Sequence, residues 1–293
     1  MKKRTFFSLI IFLAALFMSV QGKAQIKMLS GVESEIYNEF ANDIKANTNV
    51  PIEIVTTGGS VDNFSKIAVD STKANLAFMQ YDVLIWKEIE NPKIKDKFRV
   101  FFPLYNEEIH IIVKNNSKIA SLNDLKGKKV AVGSKSQGSY ITSQIIKNKT
   151  GLTWEDIPVA FNDAFIGLLD GHVDAIIYVG GAPVNLLKSL SPEVNNMLKL
   201  LPIIDPRLEG LYTKSIIRAG TYPWAKYDVS TYAVRSVIVT NIKNESPEAK
   251  KNLTALNIDL KANLEKIKMS KTSHDKWKEV KVDYKGINWP LYK

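Results

Sequence analysis

The stretch Lys129-Val130-Ala131-Val132-Gly133-Ser134-Lys135-Ser136-Gln137-Gly138-Ser139-Tyr140 decides the reading of this chain. Residues 129–132 form a short run rich in β-branched side chains, the mark of a strand. Residues 133–138 are a Gly/Ser loop, and residues 139–149 read as a helix. A second helix ends over 164–169, Asp170 and Gly171 turn the chain, and residues 175–179 form another strand. An earlier stretch repeats this order. Residues 52–56 are a strand, Gly58, Gly59 and Ser60 a turn, and 61–69 an amphipathic helix. Asp70 then turns the chain into a buried strand, 76–79, that ends at Gln80. The match is one of architecture, so the chain holds a pseudo-repeat and not a tandem array. Strands alternating with helices define α/β domains with largely parallel sheets. Residues 100–104 and 109–113 read as two strands separated by a polar bend, and 233–240 as an aliphatic strand. The strands 109–113 and 233–240 flank the second copy and are the natural crossings between two lobes. The expected fold is therefore two-lobed, with 25–113 plus 233–293 in one lobe, 114–232 in the other, and a cleft between them.

The ends of the chain add location and charge. Lys2, Lys3 and Arg4 precede the apolar run 6–20, and Gly22 and Ala24 stand at the small-residue positions of a cleavage site. This is the pattern of a cleavable signal peptide over 1–24, too short for a membrane span of ~20 residues. An exported, periplasmic protein is expected. The 293 residues contain no cysteine, which excludes disulfides, thiolate metal sites, cysteine nucleophiles and a lipid anchor on cysteine. Loss of Lys2, Lys3, Arg4 and Lys23 with the leader lowers the net charge from +10 to +6. Twelve lysines against seven acids put +5 of that on residues 243–293. There the charges are interleaved at helical spacing, the mark of a solvated face rather than a nucleic-acid surface. Ser246, Pro247 and Glu248 open that helix, and Leu253, Leu256, Leu260, Leu264 and Ile267 supply its buried stripe.

Chemistry concentrates in the two Gly/Ser loops, 56–60 and 133–139. Each follows a strand and opens a helix, so unpaired backbone N–H groups and the positive end of the helix point outward. Such loops bind carboxylates and phosphates without a basic side chain, although alone each also serves as a tight turn. Ser60, Ser134, Ser136 and Ser139 add hydroxyl donors. Gly133 to Gly138 has the spacing of half a nucleotide P-loop, but Ser139 and Tyr140 replace the required Lys and Ser/Thr, which rejects that reading. No Gly-x-Ser-x-Gly elbow surrounds these serines, and His110, His172 and His274 share no metal-ligand spacing. Neither a catalytic set, a metal site nor a cofactor is expected. Gln80 and Tyr178 end comparable strands, where open α/β sheets place ligands. Tyr105, Tyr222 and Trp224 are further candidate walls, with core packing the alternative for each.

Several segments together resemble the TAXI-type solute receptors of TRAP transporters. They are Ser30-Gly31-Val32-Glu33-Ser34-Glu35-Ile36-Tyr37, Gly58-Gly59-Ser60-Val61-Asp62-Asn63 and Leu76-Ala77-Phe78-Met79-Gln80-Tyr81-Asp82-Val83. Next come Leu122-Asn123-Asp124-Leu125-Lys126-Gly127-Lys128-Lys129-Val130-Ala131-Val132-Gly133, Tyr178-Val179-Gly180-Gly181-Ala182-Pro183 and Gly220-Thr221-Tyr222-Pro223. The resemblance spans essentially the whole mature chain in the same order. It implies a two-lobed, type II-like periplasmic binding protein, each lobe a mainly parallel sheet flanked by helices. It further implies a monomer that closes on a small organic anion, typically a carboxylate, and delivers it to a TRAP-type membrane permease. Carried over by position, the pocket would hold Ser30, Gly31, Gly59, Ser60, Gln80, Ser136, Gln137, Gly138, Ser139, Tyr178, Thr221 and Tyr222. Two departures stand out. Where the family usually has Gly-Ser-Gly-Thr or Gly-Ser-Gly-Ser, this sequence has Ser136-Gln137-Gly138-Ser139, and Glu35 replaces a common glycine before the tyrosine; Gln137 and Glu35 are expected to alter or restrict the pocket. An ABC-type receptor for a sulfonate, phosphonate or heterocycle remains the alternative, followed by an exported enzyme or an envelope sensor.

Overall fold

In a computed structural model of the chain, residues 25–33, 35–69 and 72–293 are described. The expected signal peptide, 1–24, and the Asp70 turn lie outside the described residues. The first half of the chain contains β1 (Ile26–Leu29), α1 (Ile36–Ala46), β2 (Ile52–Val55), α2 (Ser60–Ile67), β3 (Leu76–Gln80), α3 (Tyr81–Glu90) and the long β4 (Phe98–Lys114). Then come β5 (Lys129–Ala131), α4 (Gly138–Thr150), β6 (Glu155–Ile157), α5 (Phe161–Asp170), β7 (Ala175–Gly180), α6 (Asn185–Lys188) and α7 (Pro192–Asn195). The chain finishes with β8 (Leu198–Leu200), β9 (Thr213–Ile217), β10 (Val229–Asn241) and α8 (Pro247–Met269), followed by a 3-10 turn at Asp275–Glu279.

The strands form one mixed sheet in the order β2-β1-β3-β10-β4-β7-β5-β6, with β8 on β4 and β9 on β10. Pairing is parallel among β1, β2 and β3 and among β5, β6 and β7. It is antiparallel wherever β4 or β10 takes part, because those two strands run back through the middle of the sheet. Two parallel wings joined by two long central strands make the two-lobed architecture. Both pseudo-repeat units occur as expected, one in each wing.

One expectation is corrected. The "polar bend" between 104 and 109 is the middle of β4, where Asn106, Glu107 and Glu108 pair with Arg235, Val234 and Ala233 of β10. Glu107 and Glu108 are buried and accept hydrogen bonds from Gln80 and Lys276, side chains of other elements, so their polarity marks buried hydrogen bonding and not a turn. A register shift between Arg235 and Val237 bends the ladder next to them.

Apolar faces follow the periodicities in the sequence. On α1, Tyr37, Phe40, Ala41 and Ile44 fall on one stripe and are buried. Phe40 stacks on Trp277 with centroids 4.3 Å apart, and Trp277 Nε1 donates to Asp43 Oδ2 at 2.8 Å, docking the C-terminal segment on α1. Ser246 Oγ accepts from Ala249 N at 3.1 Å and starts α8, whose five expected apolar residues are all buried. Each such Leu contributes about 1.5–3 kcal/mol by leaving water.

Candidate functional site

A cavity of about 800 Å3 lies between the wings, at the ends of β3 and β7 and the starts of α2 and α4. Of the residues expected from sequence, Gly59, Ser60, Gln80, Gln137, Gly138, Ser139 and Tyr178 line it. Ser30, Gly31, Ser136, Thr221 and Tyr222 stand outside the lining. Ser30 Oγ donates to Val55 O at 3.1 Å and accepts from Asn38 Nδ2 at 3.3 Å, tying α1 to the β1–β2 pair. Gly31 O accepts from Thr57 N at 3.3 Å behind the first loop. Thr221 N donates to Arg218 O in the turn between β9 and β10. The Tyr222 hydroxyl is buried between His110 Nε2, at 2.7 Å, and the Val184 N–H that donates to it at 3.1 Å. Tyr222 thus shores up the wall from behind. His110 is held neutral, its pKa lowered to about 4 by burial, and bonds Glu108 O through Nδ1 at 2.8 Å.

The two Gly/Ser loops meet each other. Ser136 O accepts from both Val61 N and Asp62 N at 3.1 Å, so the second loop caps the helix that the first loop opens. Gly59 makes this approach possible at φ +113°, a conformation that favours glycine. The first turn of α4, in contrast, receives no side-chain hydrogen bond from its N-cap residue Gln137. Gln137 folds back instead, its Oε1 accepting from Ser134 N at 2.9 Å. Of the two positive helix ends, α4 is the one that remains directed at the cavity.

Between the loops sits Gln80. Its Nε2 donates to Glu107 Oε2 at 2.7 Å, and its Oε1 lies against Gly138. Glu107 is 3% exposed, and burial pushes its carboxyl up to about 7, helped by the charge of Asp82. Gln80 pulls the other way, as do the hydroxyls of Tyr37 and Ser236. Glu107 Oε1 has no hydrogen-bond partner among the described residues. Leaving a buried acceptor unpaired costs about 1–3 kcal/mol. Glu35, also in the lining, has its carboxyl raised by burial.

Tyr37, Tyr105, Phe161 and Tyr178 make the aromatic part of the lining. Tyr178 packs edge-on to Phe161 with centroids 4.7 Å apart, and Tyr37 OH lies 3.3 Å from Ser60 Oγ. Trp224 does not line the cavity; it stacks on Tyr222 and donates Nε1 to Leu187 O at 3.0 Å. Sequence reasoning missed Glu107 and Tyr37. Their only signals were two adjacent acids inside an aliphatic run and a tyrosine on the apolar stripe of α1. Among the described residues no group of three or more His, Asp or Glu could hold a metal, and no helix is long and apolar enough to cross a membrane.

Behind the cavity the wings are tied by two buried clusters. Asp82 Oδ2 accepts from Thr142 Oγ1 at 2.7 Å and from Tyr212 OH at 2.8 Å, and burial pushes this carboxyl up to about 6. Glu108 accepts from Lys276 Nζ at 2.9 Å and from Ala182 N at 2.7 Å.

Two wings joined by two long strands, with a polar and aromatic cavity between them, define a two-lobed solute-binding fold. The chain belongs to the NMT1-like family, which matches residues 34–284. It is similar in fold to a protein from a study of glutathione import through GshT and the cystine ABC importer TcyBC of Streptococcus mutans. That match has a TM-score of 0.55 and 13% identity and covers 90% of this chain and 100% of the other. The arginine-, lysine-, histidine-binding protein ArtJ of Geobacillus stearothermophilus matches at TM-score 0.53 and 14% identity, over 85% and 93% of the two chains. A sulfonate-binding protein SsuA from Methylobacillus flagellatus matches at 0.50 and 13%, over 91% and 79%. At these identities the likeness is one of fold.

Proposed function

We propose that this chain is an exported, non-enzymatic solute receptor that captures a small organic acid between its lobes and delivers it to a TRAP-type membrane permease. The observation that carries the reading is the cavity between the lobes, into which the start of α4 projects without a side-chain cap. A carboxylate there would accept from first-turn N–H groups and from the positive end of the helix. The lobes are taken as residues 25–113 with 233–293, and 114–232, with β4 and β10 as the hinge. Ligand-bound closure would be the form that the permease reads. The leader over 1–24 supports export to the periplasm. The permease type rests on the motif resemblance to TAXI-type receptors.

The test is calorimetry of the mature chain against dicarboxylates, keto acids and amino acids, followed by uptake in vesicles holding the cognate permease. Affinity for an organic acid, with uptake driven by an ion gradient, is the expected result. No affinity for any of these acids would overturn the ligand class, and uptake that requires ATP would make the protein an ABC-type receptor instead.

A further inference from the structure

We propose that the solute is a monocarboxylic acid with an aromatic ring: its carboxylate lies at the start of α4, its ring lies against Tyr178, and Glu35 disfavours small diacids. This rests on the receptor reading above and names the substrate class within it. The cavity of about 800 Å3 stands in the upper part of the range, about 300–1,000 Å3, of clefts that enclose drug-sized ligands. The two wings already touch, at Gln80 and Gly138 and where Asn185 Nδ2 donates to Glu39 Oε1 at 3.2 Å, so that volume belongs to a closed cleft. A short-chain diacid would leave much of it to water.

Of the two helices opened by Gly/Ser loops, one serves an anion. The Val61 and Asp62 N–H groups of α2 are taken by Ser136 O, whereas α4 starts at the cavity without a side-chain cap. That gives one end for one carboxylate.

The wall beside that end is aromatic. Val179 N donates to Ser139 Oγ at 3.0 Å, which fixes the end of β7 next to the first turn of α4. The neighbouring Tyr178 is half-buried and lines the cavity. Its ring is held in place: Phe161 packs edge-on to it at 4.7 Å, and a Cβ on Gly180 would stand 2.8 Å from Tyr178 Cε1, so a side chain at 180 would displace it. Tyr37 from α1 and Tyr105 from β4 add two more rings to the lining. A fixed ring beside an anion site suits a ligand that packs a ring of its own there.

Past Tyr178 the charges oppose a second carboxylate. Glu35, just before α1, is half-buried in the lining. Burial first, and then the charge of Glu35, pushes the Tyr178 hydroxyl up, which puts that carboxyl near the ring from the opposite wing. Lys188 is the one cationic residue of the lining among the described residues, and it is exposed, where salt screens it. A second carboxylate beside Glu35 either faces a like charge or forces one of the two groups to hold a proton, and both weaken binding. A ring brings no charge to that end and takes the apolar side chains of Val32, Ile36, Val184 and Leu186 out of water.

The experiment titrates the mature protein by calorimetry with pairs in which a phenyl ring replaces the second carboxylate: 3-phenylpropionate and succinate, phenylpyruvate and oxaloacetate, L-phenylalanine and L-aspartate. The ring member of at least one pair should bind about tenfold tighter or better. Tyr178→Leu should cut that preference about fivefold. Glu35→Gln should tighten the diacid of the same pair about fivefold and leave the ring acid within about twofold. If the diacids bind as tightly as their partners, the ring site is wrong and the organic-acid receptor stands. If the preference survives intact in Tyr178→Leu, the ring does not lie on Tyr178. If Glu35→Gln leaves the diacid unchanged, Glu35 does not disfavour it. If no member of any pair binds, the ring site falls, and the wider acid panel above decides whether the receptor falls with it.

Discussion

Gln80 at the end of β3 and Gly138 at the start of α4 approach so closely that a Cβ on Gly138 would stand 2.0 Å from Gln80 Oε1. The two residues belong to opposite wings, so their contact is also a contact between lobes. Gln80 cannot swing aside freely, because its Nε2 is held by Glu107. Gly138→Ala should therefore push the amide off Glu107 or hold the lobes apart. The expected outcome is at least a tenfold loss of affinity, about 1.4 kcal/mol, for the best-binding acid in calorimetry. The radius of gyration of the ligand-bound variant should rise in small-angle scattering. Unchanged affinity and radius would show that the contact yields at no cost.

Asp82 gives a pH-dependent tie between the lobes. Its folded pKa of about 6 lies above the ordinary aspartate value, so the folded state holds the proton longer than the unfolded chain. Stability from this group is present at low pH and is lost as pH rises from about 4 through about 6. Glu107, raised to about 7, acts with the same sign up to that pH, and His110, lowered by burial, with the opposite sign. Asp82→Asn cannot ionise, so its melting temperature relative to wild type should climb between about pH 4 and about pH 6 and level off above that. A difference that stays flat across that range would contradict the assignment.

Lys276 and Glu108 form a buried pair, each side chain 7% exposed, and Lys276 also bonds Glu279 Oε1 at 2.7 Å. Removing the cation leaves carboxyls without compensation. Lys276→Met should destabilise the protein by about 3–5 kcal/mol in urea unfolding. Adding Glu108→Gln to that variant should recover part of the loss, since the uncompensated charge goes with it.

Tyr222 separates support from contact. Tyr222→Phe leaves His110 Nε2 and Val184 N without their shared hydroxyl, a loss of about 1–3 kcal/mol. Because the residue stands behind the lining, the variant should keep the relative affinities of the acids in the panel. A reordering of those affinities would place Tyr222 in contact with the solute.

Much of the fold was legible along the chain. The strand, Gly/Ser loop and helix of 129–150 carry their own signals, and the leucine stripe of α8 needs only the 3.6-residue period. The loop glycines and serines led to the right end of the sheet, so Gly59, Ser60, Gln80 and Gly138 reached the cavity lining. Local sequence could not show that Ser136 O would cap α2, because that bond joins residues far apart in the chain. For the same reason, Asn106, Glu107 and Glu108 read as a bend although they form the middle of β4.

The sequence by itself determined the alternation of strands and helices, the two glycine-rich helix starts, the apolar faces and the low content of catalytic residue types. Periodicity and turn chemistry act over a few residues, so they can be read without knowing the fold. Only tertiary structure decided which helix end faces the cavity and which is capped by the other lobe. It alone made Glu107 a buried carboxyl with a raised pKa, since burial and hydrogen bonding depend on what β3, β10 and α1 bring to β4. The chemistry of the pocket is set by that convergence, and no single stretch of the chain contains it.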